Sequence, residues 1–81
     1  MKKSIHTARH RVLAECLIEA RKAARLTQQK LAESLGRPQS FVAKYENGER
    51  RLDVIEFLQI SKILGADAHR VIGRVMDTPE T

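Results

Sequence analysis

Between Thr27 and Gly48 the chain reads TQQKLAESLGRPQSFVAKYENG, two runs of helical periodicity separated by Gly36, Arg37 and Pro38, and no other stretch restricts the fold as much. The Thr27 hydroxyl suits a helix N-cap. Leu31, Ala32 and Leu35 then recur at helical spacing until Gly36, a residue type that tolerates the left-handed backbone past a helix end. Pro38 has a fixed φ and lacks only an N–H that a first helical turn leaves orphaned, so a second helix starts there with Phe41, Val42 and Tyr45 as its apolar positions. A turn this short sets the two helices at close to a right angle. The crossing point needs a small side chain, and Ala32 supplies one opposite Val42. The inward set is therefore Leu31, Ala32, Leu35, Val42 and Tyr45. Arg37, Gln39, Ser40, Ala43 and Lys44 remain outward, with no acid before Glu46.

Gln28, Ala32, Gly36, Val42 and the Glu46-Asn47-Gly48 run together resemble the helix-turn-helix of the lambda-repressor-like, or XRE, family of phage and bacterial regulators. The resemblance extends from about Leu13 to Val75, nearly the whole chain. It implies an all-α fold, a compact five-helix bundle, with helix two over about Gln28 to Leu35 and recognition helix three over about Pro38 to Glu46. Pro38 is a departure, because family members often carry Ser or Thr there. A hydroxyl contact to phosphate or to the helix end is lost with it.

The remaining periodicity fits such a bundle in one domain, residues 1–81, with a core of about 8–76 between short tails. Met1 to His6 reads as a loosely ordered basic start. Thr7 suits the cap of a first helix with apolar positions Val12, Leu13, Cys16, Leu17, Ala20 and Ala24. Arg21, Lys22 and Arg25 close that helix, where the helix dipole favours cations, but they also stand beside Gln28, where a phosphate would be met; both readings stay open. Asp53 with Glu56 approximates a capping box for a fourth helix. Its apolar residues Ile55, Phe57, Leu58, Ile60, Ile63 and Leu64 run around much of its circumference, which predicts the most buried element, ending at Gly65. Asp67 caps a last helix carrying Ala68, Val71, Ile72, Val75 and Met76, and Asp77 to Thr81 reads as a tail too polar to pack.

A chain of 81 residues buries only about 60% of its unfolded surface and has little stability to spare. Charge says more about partners than size does. Residues 1–51 hold twelve Lys and Arg against five Asp and Glu, a net +7, and residues 52–81 hold three against five, a net −2, which sum to the formal +5. A basic face near the helix-turn-helix and a more neutral face elsewhere suit a polyanion on one side, although lysines and arginines also simply solubilise exposed helices. No apolar run is long enough to span a bilayer and no signal-peptide pattern is visible, so a cytoplasmic protein is expected.

Enzyme chemistry lacks an inventory. His6, His10 and His69 are scattered, and the third ligand that His6 and His10 would need for a metal is missing. There is no glycine-rich phosphate loop. Cys16 cannot form an internal disulfide, has no evident base partner, and sits on the apolar face of the first helix as core. With only Phe41, Tyr45 and Phe57 as aromatics, mostly inward, a surface for stacking single-stranded bases is not expected. No catalytic residue, metal or cofactor is expected.

The chemistry of the outward face matches duplex DNA, whose major groove admits a helix and shows a distinct donor and acceptor pattern at each base pair. Gln39 offers both a donor and an acceptor, as adenine N6 and N7 require. Ser40 reaches a base or a phosphate, Lys44 guanine O6 or N7, and Ala43 is small enough to touch a thymine methyl. Each also has the plainer reading of a solvated helix residue. By resemblance, Gln39, Ser40 and Lys44 occupy base-reading positions, and Gln28 the position that meets phosphate and braces the first reading residue. Arg37, Asn47, Arg50 and Arg51 would then hold the backbone. Glu46 reads as internal, paired with a Lys or Arg, because an acid facing phosphate would be repelled.

The family resemblance further implies dimerisation through the last helix, with Val71, Ile72, Val75 and Met76 as contacts and Gly73 permitting close approach. The expected protein is a homodimeric repressor on a pseudo-palindromic double-stranded operator. An antitoxin with a toxin partner, a restriction-modification controller protein, an activator touching RNA polymerase, and a protein-interaction module using the last helix are the alternatives.

Overall fold

Side-chain oxygens hold the first amides of four of the five helices found among residues 7–80, the residues that the computed structural model describes. The helices are α1 (Ala8–Ala23), α2 (Gln28–Leu35), α3 (Gln39–Glu46), α4 (Val54–Leu64) and α5 (Ala68–Asp77). Thr7 accepts from His10 N at 3.2 Å and Thr27 from Lys30 N at 3.0 Å. Asp53 Oδ1 accepts from Glu56 N at 2.7 Å while Glu56 Oε1 accepts from Asp53 N at 3.0 Å, a complete capping box. Asp67 accepts from His69 N and Arg70 N. Only α3 starts without a side-chain cap: Pro38 stands just before the helix, at ψ 154°, rather than in its first turn. The start expected over Met1–His6 lies outside the described residues.

The helix ends explain how the chain turns. Gly36 at φ 68° lets its own N–H reach Glu33 O and the Arg37 N–H reach Ala32 O, so α2 stops and the chain turns toward α3. Gly48, at φ 78°, closes α3 in the same way, with Glu49 N bonded to Lys44 O at 2.8 Å. At the end of α1 the same bonding is made around Arg25, at φ 61°, with Leu26 N on Arg21 O. A left-handed conformation at a residue with a Cβ is strained.

Cys16 and Leu17 of α1, Leu31 and Ala32 of α2, Phe41, Val42 and Tyr45 of α3, Phe57, Ile60 and Leu64 of α4, and Val71 of α5 form one core. Leu17, Leu31, Val42, Tyr45 and Ile60 are its fully buried centre, where a Leu31→Ala change removes contacts worth about 2–5 kcal/mol. Ala32, 1% exposed, is buried as deeply as Val42, as a close crossing of α2 and α3 demands. Ala14 is buried too, although the spacing had not marked it, and Ala24 is exposed at the end of α1.

One expectation is refined and another corrected. α4 does bury the largest share of its residues, Glu56, Phe57, Ile60, Ser61 and Leu64, but not all of its apolar surface: Val54, Ile55 and Leu58 are 70%, 63% and 47% exposed. A core this small cannot absorb a helix that is apolar on most sides, so the surplus faces out. The polar tail is also tied down as far as it is described. Arg9 of α1 donates through Nε to Thr78 O at 2.7 Å, through Nη2 to Met76 O at 3.2 Å and through Nη1 to the Glu80 carboxylate at 2.8 Å. A cation thereby meets the carbonyls at the end of α5.

Candidate nucleic-acid interface

The outer face of α3 is set by what its inner face buries. Phe41, Val42 and Tyr45 point into the core, and Phe41 and Tyr45 pack edge to face with ring centroids 5.6 Å apart. Gln39, Ser40 and Lys44 are left exposed along the other side, with Ala43 half-buried between them. Ser40 and Lys44, four positions apart, share a face.

A chain of hydrogen bonds ties the start of this surface, Gln39, to the rest of the fold. Arg21 at the end of α1 donates Nε to Glu46 Oε2 at 2.7 Å and Nη2 to Glu46 Oε1 at 3.2 Å. It also caps the α1–α2 turn through Leu26 O at 2.9 Å. The side chains of Arg21 and Glu46 are 12% and 5% exposed, and the bond to Glu46 raises the guanidinium pKa above its ordinary value. Glu46 Oε1 further accepts from Gln28 Nε2 at 2.8 Å, and Gln28 Oε1 accepts from Gln39 Nε2 at 3.3 Å. The acid is thus internal and turned away from any phosphate, and the first exposed side chain of α3 rests on the first residue of α2. Of the three cations at the end of α1, Arg21 is consumed structurally, while Lys22 and Arg25 stay exposed.

The loop cations divide into two groups. Arg37, just before α3, and Arg50, just after it, place their guanidinium carbons 4.4 and 4.8 Å from the Phe41 ring centroid. Both bond to Glu56, Arg37 through Nη2 at 3.1 Å and Arg50 through two nitrogens at 2.9 and 3.0 Å. The Arg50 hydrogen bonds, then the Asp53 N–H and Arg37, pull the Glu56 carboxyl down to about 2. Asn47 Nδ2 reaches Glu49 at 3.4 Å. Arg51 accepts from Arg50 Nη1 through its carbonyl at 2.8 Å, and it lines a cavity of about 450 Å³ with Thr7, Arg9, Leu13, Leu52 and Val75.

The stripe on α5 is split. Ile72 and Met76 are 41% and 67% exposed, whereas Val71 is buried in the core and Val75 is half-buried toward α1. Val54 and Leu58 of α4 join Ile72 and Met76 around an apolar groove of about 390 Å³ floored by Phe57 and bordered by Gly73. Val54 and Leu58 were not anticipated as part of this face, although the nearly all-round hydrophobicity of α4 carried the signal. A Cβ added at Gly73 would meet nothing within 4 Å, so a partner has room to approach there.

His69 lies exposed at the groove and His10 is half-buried on α1, while His6 is outside the described residues. Among the described residues no three His, Cys, Asp or Glu side chains are grouped to hold a metal ion, and no helix is long and apolar enough to cross a membrane. Cys16 is buried in the core.

A family profile described as helix-turn-helix matches residues 17–69. Among solved structures, an XRE-family like protein from Pseudomonas syringae pv. tomato str. DC3000 is 51% identical, with 94% of each chain covered and a TM-score of 0.82. The clp gene regulator ClgR from Corynebacterium glutamicum shares the fold at 19% identity, with a TM-score of 0.75, 84% of this chain and 72% of the other being covered. No curated protein matches significantly.

Proposed function

Because the chain belongs to the XRE family of helix-turn-helix DNA-binding transcription regulators, we propose that it acts in the cytoplasm as a homodimeric repressor. Each protomer lays α3 in the major groove of one half of a pseudo-palindromic operator, with half-sites about 34 Å apart. Gln39, Ser40, Lys44 and Ala43 read base edges. Gln28, Arg37, Asn47, Arg50 and Arg51 hold phosphates, and bound protein represses by occluding polymerase. The observation that carries this reading is the exposed Gln39–Ser40–Lys44 surface, whose first residue, Gln39, is braced through Gln28 onto a buried ion pair. A side chain held in this way loses little freedom on binding, which favours specific contact.

The dimer rests on a second observation. Among the described residues, the exposed large apolar side chains Val54, Ile55, Leu58, Ile72 and Met76 all lie on α4 and α5, in the half of the chain where net charge is low. Two copies meeting there bury surface that water disfavours and keep their basic halves apart.

Titrating the protein against the duplex upstream of its own gene and a scrambled duplex, at two salt concentrations, tests the reading. Tight, steeply salt-dependent binding with a large preference for the first supports an autoregulating repressor. Equal weak binding to both contradicts specific recognition of that site. Absence of binding even at low salt favours a protein-interaction module that uses the α4–α5 groove.

A further inference from the structure

We infer that Glu56 is a positioning residue of the DNA interface, gathering Arg37 and Arg50 onto the Phe41 ring so that the two guanidiniums form one seat for a backbone phosphodiester. This rests on the DNA-binding reading above. Arg37 precedes α3 and Arg50 follows it, yet both lie within 3.1 Å of the same carboxylate and within 4.8 Å of the same ring centroid. Two like charges held this close repel, and one carboxylate balances only one of them. The remaining positive charge points outward, since the two arginine side chains are 40% and 39% exposed while that of Glu56 is 10%.

Donor bookkeeping points the same way. Glu56 is saturated by Arg37, Arg50 and the Asp53 N–H, and it is hidden behind the cations it holds. Arg37 commits only Nη2 to it, and Arg50 commits its Nη1–Nη2 end, with Nη1 also donating to Arg51 O; the Nε–H and second Nη2–H of Arg50 stay uncommitted, a parallel pair of donors that matches two phosphate oxygens. Phe41 is buried and packed on Tyr45, so the platform under both guanidiniums is fixed. The seat is continuous with Gln39 and Ser40 at the start of α3, which favours a phosphate of the same duplex over an acidic segment of a protein.

The test exploits a sign. Removing an acid from a surface that meets a polyanion should tighten binding if charge alone matters, whereas removing a positioning residue should weaken it. Glu56→Gln keeps the capping box, because the amide oxygen still accepts from Asp53 N–H. Affinities of wild type, Glu56→Gln and Phe41→Leu are measured on specific and scrambled duplexes across a salt series, with a thermal melt of each variant to establish folding. The expected result is a loss of roughly fivefold or more on both duplexes for Glu56→Gln, with the salt slope lowered by about one. Phe41→Leu, which leaves both arginines and the acid in place, should lower the slope as well. Unchanged or tighter binding by Glu56→Gln, or a wild-type slope in both variants, overturns the inference and leaves the DNA-binding reading standing. Failure of the wild type to bind any duplex removes both. Normal DNA binding by the variants with loss of contact to an acidic protein partner would reassign the seat to that partner, against the proposal.

Discussion

Gln39 Nε2 donates to Gln28 Oε1 at 3.3 Å, and Gln28 in turn donates to Glu46. The exposed residue that opens α3 is therefore aimed by two side chains that it does not adjoin in sequence. Gln39→Ala should cost about 1–3 kcal/mol on the right operator and little on random DNA. Arg50→Ala should weaken both alike. Competition binding with the two duplexes checks this, and equal losses for both mutants would refute the division between reading and holding.

The Arg21–Glu46 pair that anchors this chain of bonds is nearly closed to solvent. Glu46→Ala leaves a buried guanidinium without its partner, at an expected cost of about 3–5 kcal/mol in a denaturant melt. Replacing both residues with apolar ones should cost less than the sum of the single changes, because no unpaired charge remains. Additive losses would show that the pair is not coupled.

What could be read from sequence was what is local. Thr7, Thr27, Asp53 with Glu56, and Asp67 each act on amides two or three residues away, and Gly36 marks its turn by itself. The internal role of Glu46 was legible because phosphate would repel an exposed acid there. Its partner was not, since Arg21, Lys22 and Arg25 all suit a helix end equally well. The Arg37–Phe41–Arg50–Glu56 cluster depends on the path of the loop between α3 and α4, which periodicity does not encode. The exposed side of α4 follows from how much apolar surface four other helices can cover, a property of packing rather than of the α4 segment. Arg25 gave no warning of its left-handed backbone because it is not a glycine.

The apolar groove between α4 and α5 gives a prediction about assembly. Ile72→Glu or Leu58→Glu places a charge in it without touching the buried centre, and each should convert a dimer to a monomer in sedimentation equilibrium. Operator affinity should fall together with the dimer. A wild type that is monomeric at high concentration, or variants that remain dimeric, would exclude this face.

Arg25, at φ 61°, occupies a position where glycine is unstrained. Arg25→Gly should raise stability by about 1 kcal/mol, the relief of left-handed strain outweighing the entropy lost from a more flexible unfolded chain. That corresponds to a Tm increase of roughly 4–8 °C for a domain of this size. A lower Tm would show that the arginine side chain contributes more than its backbone costs.

Stability should also depend on pH through Glu56. Its folded-state carboxyl lies at about 2, against an ordinary value of 4.5. A lowered carboxyl contributes stability that is fully present above the ordinary value and is lost as pH falls toward the folded one. Between pH 5 and about 2 the wild type should lose Tm more steeply than Glu56→Gln. Parallel curves would mean that the arginine contacts add no net stability.

Selection of bound duplexes from a randomised pool tests the central claim most directly, because it assumes nothing about where the operator lies. The account predicts enrichment of a pseudo-palindrome with half-sites about one helical turn apart, and loss of preference at specific positions when Gln39→Ala protein is used. A pool that remains random through repeated rounds, or an enriched sequence whose preferences are unchanged in Gln39→Ala, would contradict recognition by α3.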